Sequence, residues 1–179
     1  MSPRILLCLA FLLFALPGAA ADRDVRVGLP KHGALFLRMP EGWDERISRP
    51  RPDEPPVILV TPASGPPFRI VISPVWPMAP GDQLPNTDEI RAMMESSAAA
   101  AKKRSIETEI PMHDLNGFGP AGTYFSVTER SPAPGDFGNL TQGLARVGEI
   151  VVAFRVLTNG DPVSVLGPAL EMFRTMRNE

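Results

Sequence analysis

Two histidines, one cysteine and one carboxylate cluster are the residues of this chain most suited to chemistry. His32 lies in the turn-forming run Pro30-Lys31-His32-Gly33, and His113 stands beside Asp114. The two are far apart in sequence and share no metal-ligand spacing. Glu41, Asp44 and Glu45 could exchange protons in acid–base catalysis, and a hydrolase or metal-binding reading would join Glu41 or Glu45 to His113. Arg46, Arg49 and Arg51 follow closely, so a solvated turn with local ion pairs is the plainer account. Pro134-Gly135-Asp136-Phe137-Gly138-Asn139 offers two oxygen-bearing side chains, short of the roughly six to eight ligands that calcium takes. Its Asp-Phe-Gly triplet has no phosphate loop or catalytic loop beside it. There is no Gly-x-Ser-x-Gly elbow. Residue types and spacing therefore assign no catalytic residue, no cofactor and no metal.

The one cysteine, Cys8, falls inside an apolar run over residues 5–16 that follows Arg4. Pro17-Gly18 breaks this run, and Ala19-Ala20-Ala21 places small residues before Asp22. That is the pattern of a secretory leader over residues 1–21, cleaved between Ala21 and Asp22. The run is too short to span a bilayer, which takes roughly 20 apolar residues, so no stable membrane anchor is expected after cleavage. A lipoprotein cysteine would stand at the cleavage site, and Cys8 does not. Residues 22–179 then form one domain without a thiol, which excludes disulfides, cysteine nucleophiles and thiolate metal sites. The formal charge of −2 offers no basic footprint for nucleic acid. Gly 15 and Pro 21 together stay below the roughly 25–30% that marks disorder. The prolines separate apolar runs, as rigid loops do.

The elements that would position any site begin with a helix over residues 86–104. Asn86 and Glu89 form a capping-box pair. Ile90, Met93, Met94, Ser97, Ala98 and Ala101 repeat at helical period as one apolar or small stripe. Lys102, Lys103 and Arg104 close the helix at the negative end of its dipole. Strand patterns precede it at 25–29, 34–39, 57–61 and 68–73, the last two as a hairpin. Others follow at 106–111 and 123–129, with Phe125 and Val127 on one face of the latter. A hairpin at 140–147 and 150–157 turns at Gly148-Glu149. Its second arm is almost wholly apolar, which predicts a strand covered on both faces. A final helix is expected over 168–177, with Gly167-Pro168 breaking whatever precedes it. The order predicts an α+β fold, a mostly antiparallel sheet between two helical layers. Trp76 and Met78, in a proline-stiffened loop over 74–85, form the expected partner surface.

The stretch from Gly33 through Pro40-Glu41-Gly42-Trp43 is similar to the opening of PsbP-like proteins. These include photosystem II PsbP, a Ran-binding nuclear-transport factor and bacterial envelope proteins of the DcrB kind. The helix after the hairpin at 57–73, the entry from Gly119 to Tyr124, and the closing hairpin plus helix extend the resemblance over most of residues 25–176. It implies an α/β/α sandwich and a non-enzymatic binding or accessory role, and it carries over no catalytic residue. Unlike DcrB-type members, the chain lacks a lipidated cysteine. Its Ala, Pro and Arg usage suits a GC-rich Gram-negative genome, which makes the periplasm the expected destination. The expected partner is another envelope protein or a small ligand.

Overall fold

The computed structural model describes residues 22–77, 83–117 and 120–179. The leader, Met78 and the Gly119 end of the strand entry lie outside these residues. Ten strands and two helices make an α+β fold with two antiparallel sheets. In chain order they are β1 (Arg23–Gly28), β2 (Ala34–Met39), β3 (Trp43–Ser48), β4 (Val57–Pro62), β5 (Phe68–Val75), α1 (Thr87–Lys102), β6 (His113–Asn116), β7 (Ala121–Thr128), β8 (Asn139–Val147), β9 (Ile150–Thr158), α2 (Val163–Arg174) and β10 (Arg177–Asn178). The large sheet has the order β3-β4-β5-β9-β8-β7-β6, and the small one β1-β2-β10.

Local chemistry sets several boundaries. The Asn86 side chain accepts from the amides of Asp88 and Glu89, both at 3.0 Å, and Glu89 reaches back to the Asn86 amide at 2.8 Å. This satisfies donors that the first turn of α1 would leave orphaned. Gly148 opens the two-residue β8–β9 turn at φ 59°. A positive φ at the first turn position matches the strand twist and suits glycine. The expected β4–β5 and β8–β9 hairpins both form.

Four expectations are corrected. Residues 43–48 form edge strand β3, although charged side chains fill half of it; edge strands tolerate and use such charges. The strand expected at 106–111 is displaced to β6. Ile106 is exposed, and the Glu107 carboxylate, in place of a backbone group, accepts the Thr128 amide at 2.9 Å. Helix α2 starts at Val163 and runs through Pro168. Both Gly167 and Pro168 face water, so the carbonyl that Pro168 leaves without a donor can be hydrated. The same helix ends three residues before its expected limit of 177, because residues 177–178 instead pair with β2 as β10.

Covering of the large sheet is also uneven. Its inner face is closed by α2 and by the small sheet, which stands apart from the large one. Val27, Leu35, Leu37, Ile70, Ile72, Val152, Phe154 and Phe173 share one core, with the Phe154 and Phe173 rings stacked at 4.1 Å. On the outer face α1 lies over β7 and β8, where Met94 and Ala98 meet Phe125 and Val127. β9 is thus fully covered on one side only. Ala153 and Leu157 on its outer face are half-buried, and Arg155 is exposed.

Gly143 lies opposite Phe154 across the β8–β9 ladder, and a Cβ there would overlap the Phe154 ring. Moving that ring disturbs its stack on Phe173. Gly143→Ala is expected to destabilise the fold by about 1–3 kcal/mol, read as a lowered urea midpoint at unchanged slope.

Candidate functional site

The side chains singled out by chemistry do not converge. Glu45 lies on β3 and His113 on β6, the two edges of a seven-stranded sheet. Six inter-strand steps of about 4.8 Å separate them by roughly 25–30 Å. Glu45 instead pairs with Arg23 of the small sheet. Arg23 also donates to the Trp43 carbonyl at 3.0 Å. The ion pair thus fastens the two sheets together, where pairing within residues 41–51 was expected. Farther along, Arg49 donates to the Gly28 carbonyl at 2.6 Å, and Arg51 meets Glu54 at 3.2 Å. His113 lays its ring on Tyr124 at 5.2 Å. At the end of the 134–139 loop, the Asn139 amide donates to the Gly160 carbonyl at 3.0 Å, and its oxygen accepts from the Thr128 hydroxyl at 3.3 Å. Among the described residues no three His, Cys, Asp or Glu side chains gather as a metal-ligand set.

Trp76 is also corrected. It is 6% exposed, in the main core, with its ring 4.7 Å from His32. A side chain so buried cannot present itself to a partner. The chain leaving β5 tucks Trp76 into the main core, so apolar character outweighs loop position. Met78 is outside the described residues. Trp43, the first residue of β3, packs on Phe68 at 4.7 Å.

The site that the fold does build follows from the uneven covering. Between α1 and the uncovered strands lies a trench of ≈ 670 Å³. Its floor is Val71 and Ser73 of β5, Ala153 and Arg155 of β9, and Gln142 and Leu144 of β8. Its wall is Ala92, Met93, Ser96 and Ser97 of α1. Register aligns the floor in two rows: Val71, Arg155 and Gln142 in one, and Ser73, Ala153 and Leu144 in the next. Neighbours within a row have Cβ atoms about 4.5–5.5 Å apart. Met93 belongs to the stripe expected to lie on the sheet, yet it is 51% exposed and overhangs the trench. In sequence it is indistinguishable from its buried neighbour Met94. The signal available was Ser97 within the stripe and Ser96 next to it, small and polar where a fully covered helix would carry larger apolar groups.

Electrostatically the trench is simple. Arg155 is the one ionisable side chain in its lining, and none of the ion pairs among the described residues takes it. No helix among the described residues is long and apolar enough to cross a membrane.

No family model matches the chain, and no curated protein matches it. The solution structure of cyanobacterial PsbP from Synechocystis sp. PCC 6803 is similar to it, at 13% identity and a TM-score of 0.49, covering 93% of this chain and 99% of that one.

The Arg23–Glu45 pair gives a pH signature. Its hydrogen bond, aided by the nearby positive charge, holds the Glu45 carboxyl below its ordinary range against the opposing effect of partial burial. Stability from a lowered carboxylate is present above its unfolded value, about 4.3, and is lost as pH falls through the folded one. Glu45→Gln should cost about 0.2–1 kcal/mol near neutral pH, as exposed pairs do. Urea unfolding at about pH 7 and about pH 3 should show the difference from wild type closing at the acid end.

Proposed function

We propose that this chain is an exported, non-enzymatic binding protein whose binding site is the trench between α1 and strands β5, β9 and β8. The observation that carries this reading is the trench itself: an apolar floor and wall around ≈ 670 Å³. Ligand sites are concave and mostly apolar, of roughly 300–1,000 Å³, with a few placed polar groups. Here those groups are Arg155, Gln142 and the serines of β5 and α1.

Export rests on residues 1–21, which carry the charge, apolar run and small-residue boundary of a secretory leader. The periplasm is the destination that reading favours. A non-enzymatic role is favoured by placement. The carboxylates and the histidine of the hydrolase reading stand at opposite sheet edges, far beyond the contact that proton transfer needs. The trench lining offers no carboxylate, imidazole or thiol to act as a base.

A neutral, environment-sensitive dye tests the site. Nile red should brighten on the folded protein, and Ser73→Trp, which stands a large ring on the trench floor, should abolish the signal while the circular dichroism spectrum stays native. Undiminished brightening in that folded variant would remove the trench as the site.

A further inference from the structure

Resting on the trench as a binding site, we infer that its ligand is a small amphiphile with one anionic head, a free fatty carboxylate in chemical class. The apolar body follows from the floor and wall. Val71, Ala153 and Leu144 are the apolar part of the floor, and Met93 overhangs it from α1. Methionine is flexible and polarizable and adapts to chains of different shape.

The head follows from charge. Arg155 is exposed and free of ion pairs among the described residues, and no lining residue is acidic. A cationic head would meet repulsion with no carboxylate to offset it. A carboxylate would meet a planar guanidinium that can donate two parallel hydrogen bonds. Gln142 stands beside Arg155 in the same row of the sheet and can donate a third from its amide. Register therefore places Arg155 and Gln142 beside Val71 in one row, and Ala153 and Leu144 beside the small Ser73 in the next. Successive rows on one face lie about 6.5–7 Å apart. The result is a head end and a body end within one groove.

The whole chain carries a formal charge of −2. Long-range attraction of anions is therefore absent, and the selectivity must be local to Arg155. One cation also sets the valence. A doubly charged phosphate or an acidic peptide would bring charges that the lining leaves unpaired.

Amide NMR titration with dodecanoate and with dodecylammonium, each kept below its micelle concentration, tests this. Dodecanoate should shift the amides of Val71, Ser97 and Ala153 and bind at least about tenfold more tightly than dodecylammonium. Arg155→Gln should weaken dodecanoate by about tenfold, leave dodecylammonium unweakened, and keep a native spectrum. Arg155→Lys should recover part of the loss, since it restores the charge without the fork. Equal binding of the two amphiphiles in the trench, or a dodecanoate affinity indifferent to Arg155→Gln, would overturn the anionic head while leaving the trench as the site. Shifts by neither amphiphile, or shifts confined elsewhere, would overturn both.

Discussion

An α-helix is about 10 Å across, and strands lie about 4.8 Å apart, so one helix covers about two strands. The outer face of the seven-stranded sheet receives α1 and no other helix among the described residues. Much of the molecule follows from that mismatch. The chain leaves β5 in the middle of the sheet and must reach β6 at its far edge. α1 makes the crossing over β7 and β8, which sets its far side beside an uncovered half. A trench at that boundary is the geometric consequence of a narrow element on a wide one.

The inner face solves the same problem differently. There α2 is joined by three short strands, β1, β2 and β10, and together they close the face. β10 completes this cover by pairing with β2. Ala34 and Glu179 exchange both backbone hydrogen bonds, at 2.6 and 3.0 Å. The Arg23–Glu45 pair then joins the small sheet to an edge of the large one. Apolar burial supplies most of the cohesion, and the ion pair adds a polar contact between the two sheets at one edge. The two faces therefore differ in kind. One is sealed core, with Val152, Phe154 and Val156 at most 2% exposed; the other is surface interrupted by one helix.

How much of this is legible in the sequence depends on how local the cause is. The N-cap of α1 and the β8–β9 hairpin depend on residues a few positions apart, and both are as read. The two faces of β7, with Phe125 and Val127 turned to α1, follow from a period of two. β3, β6 and β10 are not legible, because each is a polar edge strand defined by pairing with its neighbour and not by an apolar pattern of its own, and the partner of β10, β2, is also far away in sequence. Residues 43–48 carry four polar or charged side chains in six, which reads as a turn until β4 is beside it. Trp76 is the opposite case: its local setting is a loop, and its burial is decided by His32 and the core. The trench is the least legible feature. Met93 and Met94 are adjacent and chemically identical, yet one is 51% exposed and the other 1%. Only the landing point of α1 separates them.

The uncovered half of the sheet raises a further constraint. Val57, Leu59, Val71, Ala153 and Leu157 are half-buried there, and an apolar face of this kind invites association. Arg46 of β3, Arg69 of β5 and Arg155 of β9 are interleaved with them and exposed. Long cationic side chains cover apolar floor with their stems and hold their heads in water. Arg69 does so over the Phe137 ring, 5.6 Å from its centre. These arginines keep the open face soluble without closing it. The same choice of sign decides what the face can hold. A sheet protected by cations repels cationic and accepts anionic amphiphiles, so protection of the surface and selectivity of the trench are one property of the same side chains.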